Sequence, residues 1–183
     1  MLKSALLLID VQKGFDDSFW GERNNPAAES NISTLLQEWR KHGAPIIHVR
    51  HCSVSPKSPL HPDQPGNAFK DIAVPLEGEP EFTKTVNSAF IDTGLEAYLR
   101  QNDLSDLIIV GLTTDHCVST STRMAGNLGF NVTLVGDATA TFERKSYRGE
   151  YISAEEMHEV NLASLHEEFC VVKSTQEVLD DQI

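Results

Sequence analysis

The chain has 183 residues, 40% of them hydrophobic and 23% charged, a composition typical of a soluble globular protein, and we expect a single domain over residues 1–183. The net charge of −12 argues against nucleic acid and anionic membrane surfaces as partners. No apolar run reaches the ~18 residues that a membrane-spanning helix needs. Three cysteines without C-x-x-C spacing indicate neither a disulfide framework nor a zinc knuckle, and they favour a reducing cytoplasmic location.

Apolar runs typical of strands alternate with segments typical of helices. The apolar runs predict strands at residues 5–9, 45–49, 81–84, 107–111, 131–135 and 169–172. Helical spacing of apolar residues, with capping residues or glycines at the ends, predicts helices at residues 25–43, 93–100 and 118–128, and another from Ser153. This alternation predicts an α/β fold with a parallel sheet covered on both faces.

Three residues with reactive side chains come at or just after the ends of predicted strands: Asp10, Lys84 and Cys117. Because ligands of such sheets bind beyond the carboxyl ends of the strands, we expect these side chains to share one site. A helix N-terminus and an ammonium both favour a thiolate, so we expect the pKa of Cys117 to lie below that of a free thiol. Taken singly, each residue also has an ordinary structural interpretation, as a buried thiol, a loop-entry carboxylate or a solvated charge.

Four motifs of the chain resemble those of the isochorismatase-like cysteine hydrolases, which include nicotinamidases, N-carbamoylsarcosine amidohydrolase and streptothricin hydrolase. The motifs are LLIDVQ at 7–12 with Phe15, KTVNSAF at 84–90, VGLTTDHCV at 110–118 and VGDA at 135–138. They come in the order and approximate spacing of the family and extend over most of residues 5–172. The resemblance implies a six-stranded parallel sheet in a three-layer α/β/α sandwich.

The resemblance also implies a chemistry. Asp10, Lys84 and Cys117 would form a catalytic triad, and a cis peptide bond between Leu112 and Thr113 would help to turn the backbone N–H groups of Thr113 and Cys117 toward a substrate oxyanion. Such a site hydrolyses an amide, carbamoyl or ureide C–N bond of a small molecule through a thioester. The alternatives are hydrolysis of an isochorismate-type enol ether, which needs no cysteine, and a non-catalytic binding or scaffold protein of the same fold.

Nicotinamidases of this family hold a divalent metal with an Asp and several His in the loop after the second strand. The corresponding part of this chain contains His48, His51 and His61, but it lacks the family's Asp-Trp-His-Pro pattern. We therefore expect no metal and no cofactor, and a homo-oligomer as the family suggests. The side chains that we expect near the substrate, with ordinary packing or solvation as the alternative, are Phe15, Phe19, Trp20, His51, Asn87 and Phe90.

Overall fold

A computed structural model describes residues 4–182, so the two ends of the expected 1–183 domain lie outside the described range. The strands are β1 Ala5–Ile9, β2 Ile46–His51, β3 Glu81–Lys84, β4 Asp106–Leu112, β5 Asn131–Ala140, β6 Arg144–Lys145, β7 Tyr151–Ile152 and β8 Val171–Lys173. Six of them form one parallel sheet in the order β3-β2-β1-β4-β5-β8, and β6 pairs with β7 as a small antiparallel hairpin. The predicted six-stranded parallel sheet is confirmed.

In the described part of the chain, five α-helices cover the two faces of this sheet: α1 Ala28–Lys41, α2 Leu95–Gln101, α3 Ser119–Asn127, α4 Ala154–Leu165 and α5 Thr175–Gln182. Successive side chains of β1 point to opposite faces, because the side-chain period of a strand is two. Leu6 and Leu8 pack with α1 and α5, whereas Leu7 and Ile9 pack with the other three helices. Within residues 4–182, none of the helices is long and apolar enough to cross a membrane.

The structure corrects the predicted start of the first helix. Asn25 does not cap α1, which begins at Ala28, and its backbone is left-handed with φ 45°. Its side-chain amide instead donates to the carbonyl oxygens of Asp137 and Thr139 on β5, at 3.0 and 2.7 Å. In contrast, Ser153 caps α4 as predicted, since its hydroxyl accepts the N–H of Glu156 at 3.2 Å.

A close approach between β1 and β4 sets the shape of the carboxyl edge of the sheet. Gly111 has φ 127°, and a Cβ atom at this position would lie 2.0 Å from the carbonyl oxygen of Ile9. Only glycine tolerates this combination of backbone angle and contact. The peptide bond between Leu112 and Thr113, which follows directly, is cis. The two strands therefore end side by side, and the residues that follow each of them meet at one place.

Candidate active site

Asp10 follows the last residue of β1 and is fully buried. Its backbone is left-handed with φ 52°, and its N–H donates to the carbonyl oxygen of Val49 at 3.0 Å. Aspartate is one of the few residue types that adopt this backbone conformation with modest strain. The chain thus turns sharply at the edge of the sheet while the carboxylate remains in the interior.

Lys84 ends β3, and its ammonium lies at the centre of the site. The Nζ atom is 2.6 Å from Asp10 Oδ2, 3.1 Å from Cys117 Sγ and 3.0 Å from His51 Nδ1. The side chains of Lys84 and Asp10 are both fully buried. An ammonium has three N–H donors, and three acceptors surround it here. The three side chains predicted to share a site are therefore in direct contact, together with an imidazole.

Cys117 lies in a short π-helical turn, Thr114–Val118, between the end of β4 and the start of α3. The carbonyl oxygen of Thr113 accepts the N–H of His116 at 3.2 Å and the N–H of Val118 at 3.1 Å, which closes the turn. Cys117 is 7% exposed. The thiol thus precedes the first turn of α3 and reaches the surface through a narrow opening.

The prediction of a lowered pKa for Cys117 is wrong. Burial raises the pKa of the thiol, the Asp10 carboxylate raises it further, and the Lys84 ammonium does not compensate for the two. The ammonium and the helix N-terminus favour the thiolate, but burial and the adjacent negative charge outweigh them. The resting site therefore holds a thiol, which must lose its proton to a neighbour before it can attack a substrate.

Asp10 is the neighbour that can take this proton. Its carboxylate is shielded from solvent, and Lys84 and Cys117 are the side chains that stabilise its charged form. Burial raises the pKa of Asp10, and the charge of Lys84 offsets only part of this effect. The pKa of Lys84 is itself raised, because Asp10 and Cys117 together outweigh its burial. The carboxylate is thus prepared to accept a proton, and the ammonium to keep its own.

The side chains of Gln12 and Asn67 hold His51 in place through hydrogen bonds to its backbone. Gln12 Oε1 accepts the N–H of His51 at 2.9 Å, and Gln12 Nε2 donates to the carbonyl oxygen of His51 at 3.0 Å. Asn67 donates to the same carbonyl, also at 3.0 Å. Burial and the Lys84 charge lower the pKa of His51 to about 4, against the opposite effect of a backbone hydrogen bond at Val86. The imidazole is therefore neutral near pH 7, and its Nδ1 accepts a hydrogen bond from the ammonium.

Asp115 anchors the turn that carries Cys117, a role that the sequence analysis missed. Its carboxylate accepts the hydroxyl of Thr113 at 2.9 Å, the hydroxyl of Thr141 at 2.5 Å and two N–H groups of Arg144 at 2.7 and 3.2 Å. Burial alone would raise the pKa of Asp115, but these hydrogen bonds and nearby charges lower it. Thr141 and Arg144 come 26 and 29 residues after Asp115, so no local pattern indicates the contact.

A second anchor holds the same turn from the other side. The hydroxyl of Thr114 lies 2.9 Å from Nδ1 of His158, and both residues are buried. His158 belongs to α4, 44 residues further along the chain. The turn is thus fixed to β5 and β6 on one side and to α4 on the other, and its position does not depend on the loop sequence alone.

The aromatic residues after β1 form a packed cluster. Phe15 is 4% exposed, and its ring lies between Trp20 at 5.2 Å and Phe142 at 6.3 Å. Trp20 is half-buried and donates its indole N–H to the carbonyl oxygen of Gly14 at 2.8 Å. Phe19, 62% exposed, packs edge-on against Trp20. Phe15 therefore contributes to packing, and the more exposed rings of Trp20 and Phe19 are the ones accessible to a ligand.

The two residues expected near the substrate after Lys84 lie in different places. Asn87 is exposed, and its Oδ1 is 3.9 Å from Cys117 Sγ, so it lies at the opening of the site. The ring of Phe90 stacks on Phe130, with the centroids 5.9 Å apart. Phe130 immediately precedes β5, at the edge of the sheet opposite the carboxyl ends. Phe90 therefore has an aromatic partner in the core, and its place near the substrate stays a prediction.

The other histidines considered as metal ligands have partners elsewhere. His48 Nε2 lies 2.9 Å from a carboxylate oxygen of Glu79. His61 accepts the backbone N–H of Asp63 at 3.2 Å through its Nδ1. A site of the nicotinamidase type, with several histidines from this loop, does not fit these contacts, and the expected absence of a metal stays a prediction.

Comparison with known proteins identifies the family of the chain. The isochorismatase domain family matches residues 4–177. YrdC, an uncharacterized isochorismatase family protein of Bacillus subtilis strain 168, is 48% identical over 181 residues, which are 99% of this chain and 97% of YrdC. An isochorismatase-family structure from Chromobacterium violaceum superposes with a TM-score of 0.94 at 47% identity, covering 97% of this chain and 92% of that one.

A third relative has a named activity. Streptothricin hydrolase of Streptomyces noursei is 30% identical over 142 residues, which are 76% of this chain and 50% of that protein. The match to the domain family extends over most of the chain, and the overall fold agrees closely with that of a solved family member. The protein is therefore a hydrolase of the isochorismatase family.

Proposed function

We propose that this hydrolase cleaves the C–N bond of an amide, carbamoyl or ureide group in a small molecule through a thioester on Cys117. The observation that carries the proposal is the chain of contacts from Asp10 Oδ2 to Lys84 Nζ to Cys117 Sγ, 2.6 and 3.1 Å long, at the carboxyl edge of the sheet. A nucleophile, a proton acceptor and a fixed positive charge are the groups that such a reaction requires.

The first step forms a tetrahedral intermediate, which precedes the thioester. Cys117 Sγ attacks the carbonyl carbon, its proton passes to the Asp10 carboxylate, and the carbonyl electrons move onto the oxygen. The backbone N–H groups of Thr113 and Cys117 would stabilise this oxyanion, each by about 3–4 kcal/mol. Lys84 keeps its proton throughout, since Asp10 and Cys117 raise its pKa. Its positive charge favours the thiolate as this anion forms.

The second half of the reaction restores the enzyme. The oxyanion collapses, the C–N bond breaks, and Asp10 returns the proton to the departing amine or ammonia. A water molecule then loses a proton to Asp10 and attacks the thioester carbon, and the C–S bond breaks as Cys117 regains its proton. The raised pKa of Asp10 suits both steps, because the group must gain and lose a proton near neutral pH.

We also propose that the protein is a cytoplasmic homo-oligomer whose partner subunit walls the site. Asn87 at the opening of the site is exposed, which leaves surface for a second subunit. Sedimentation equilibrium tests this proposal, and a monomer at all concentrations would contradict it.

The reaction is tested by a screen of amides, carbamates and ureides for release of ammonia or amine. The expected hit gives an acyl adduct on Cys117, detected by mass spectrometry of protein quenched in acid, and turnover disappears in Cys117→Ala. A Cys117→Ala protein that retains most of the activity would indicate enol-ether chemistry instead. Binding of compounds without turnover or adduct would indicate a binding protein of the same fold.

A further inference from the structure

The Lys84 ammonium occupies the centre of a set of side chains that are typical metal ligands. Asp10, His51 and Cys117 each offer one ligand atom, and these atoms lie within 4.8 Å of one another. The Nζ atom lies among them at 2.6, 3.0 and 3.1 Å. Carboxylate oxygen, imidazole nitrogen and thiolate sulfur are the three ligand types that Zn²⁺ uses in proteins.

Two further observations show that these groups are directed at a cation. Both oxygens of Asp10 are shielded from solvent, and within the described residues the Lys84 ammonium is the charge that compensates them. The Nδ1 atom of His51 accepts from the ammonium, and Gln12 and Asn67 hold the backbone behind the ring. The imidazole therefore presents a lone pair to the centre from a fixed position.

The distances indicate how far the ligands would have to move. Zinc and cobalt bind such ligands at about 2.0–2.3 Å, whereas the ammonium holds them at 2.6–3.1 Å. The ligand atoms would need to approach the centre by less than about 1 Å, a change within the reach of side-chain rotations. Three protein ligands would leave a fourth position open for water, as in catalytic zinc sites.

We propose that Lys84 is the resident cation of an Asp10–His51–Cys117 metal site, and that removal of its side chain turns this set into a binding site for Zn²⁺ or Co²⁺. The native chain excludes a metal ion because the ammonium already occupies the position that the ion would take. The proposal depends on ligand geometry alone and stands whether or not the protein hydrolyses C–N bonds.

The test is a titration of Lys84→Ala with Co²⁺, followed by absorption spectroscopy. We expect one Co²⁺ per chain, a thiolate-to-cobalt charge-transfer band and the d–d bands of a tetrahedral site, with a dissociation constant of about 10⁻⁶ M or tighter. The wild type should show none of these bands. The double variants Lys84→Ala/Cys117→Ser and Lys84→Ala/His51→Ala should lose the charge-transfer band and at least about tenfold in affinity, respectively.

Lys70→Ala is the matched control. Lys70 is also buried and contacts two carboxylates, those of Asp16 and Glu29, but no thiol or imidazole. Its removal should create no cobalt band. A folded Lys84→Ala that binds no cobalt, or that binds it equally well without Cys117, overturns the proposal. If Lys84→Ala folds only with metal, the proposal is supported, and if it stays unfolded with Co²⁺ present, the proposal is contradicted.

Discussion

Asp10 and Asp115 are two buried carboxylates near the same thiol, and each contacts one cation, yet their pKa values move in opposite directions. Asp10 is fully buried and lies 2.6 Å from Lys84, and its burial raises its pKa in spite of this contact. Asp115 accepts hydrogen bonds from two threonine hydroxyls and from Arg144, and its pKa is lowered. A cation is present in both cases, so it does not explain the difference.

The difference follows from the balance between burial and the groups that stabilise the charged form. Each donor aimed at a carboxylate stabilises the anion, whereas burial favours the neutral acid. Asp10 is left able to exchange a proton, and Asp115 stays charged and fixes the turn before Cys117. One residue type thus performs two tasks within one site, and the surroundings of each carboxylate decide which task it has.

The largest expected effect is on kcat, which should fall much more in Asp10→Asn than in Asp115→Asn. Asp10→Asn should lower kcat by at least about 10⁴-fold, because the amide can neither take nor return a proton. Asp115→Asn should lower it by only about 10- to 100-fold, through a displaced turn. Steady-state kinetics on the substrate found by the screen measures both. Asp106→Asn, at the opposite edge of the sheet, is the control, and equal losses in Asp10→Asn and Asp115→Asn would contradict the division of tasks.

The rate at which Cys117 is alkylated should also differ between the Asp10 and Asp115 variants. The Asp10 carboxylate raises the pKa of Cys117, so Asp10→Asn should lower that pKa and speed alkylation by iodoacetamide near pH 7 by at least about tenfold. Asp115→Asn should not have this effect. Peptide mapping over a range of pH gives the rate at each cysteine. Cys170 should stay unlabelled, since burial raises its pKa to about 11. Slower labelling of Asp10→Asn would contradict the assigned charge effect.

The next prediction concerns the contribution of Asp115 to the free energy of unfolding. Asp115→Asn leaves the half-buried Arg144 without its counter-ion, which should cost about 2–4 kcal/mol and lower Tm by roughly 5–15 °C. Because the folded pKa of Asp115 lies below its usual 3.8, the carboxylate contributes its stabilisation above about pH 4 and loses it as the pH falls further. Calorimetry should show a wild-type advantage that is constant near neutral pH and shrinks in acid. An advantage that persists unchanged in acid would exclude Asp115 as its source.

Removal of metal ions by a chelator should have no effect on activity. If Lys84 supplies the positive charge of the centre, then EDTA or dipicolinate should leave activity unchanged, and elemental analysis should find far less than one metal ion per chain. The control is a chelated sample to which Zn²⁺, Fe²⁺ or Mn²⁺ is added back. Restoration of a lost activity by any of these ions would show that a metal acts beside the ammonium.

The fold could be predicted from the sequence wherever local pattern and tertiary packing agree. The bounds of β1 and β3 match the predicted runs at 5–9 and 81–84. The predicted end of β5 at residue 135 is too early, because Gly136 and Asp137 interrupt the apolar run while the strand continues to Ala140. The start of α1 is misplaced because Asn25 binds carbonyl oxygens of β5, a contact across more than a hundred residues.

The site could be predicted only in part, for the same reason. Strand ends are local features, and they were sufficient to bring Asp10, Lys84 and Cys117 together. Two partners of Asp115, Thr141 after β5 and Arg144 on β6, come much later in the chain, and the packing of the Phe90 ring depends on Phe130. The sign of the pKa shift at Cys117 depends on burial and on an adjacent charge, and neither quantity is encoded in a motif.

The side-chain amide of Gln12 takes the place of a backbone peptide beside the end of β2. After β1 has turned away, its amide pairs with both backbone groups of His51, as the next peptide of the strand would have done. The same Nε2 atom also donates to the carbonyl oxygen of Asn67 at 2.8 Å, so one amide holds both ends of the segment between His51 and Asn67. The segment 52–66 therefore starts from a fixed point, and insertions or deletions within it need not shift the imidazole.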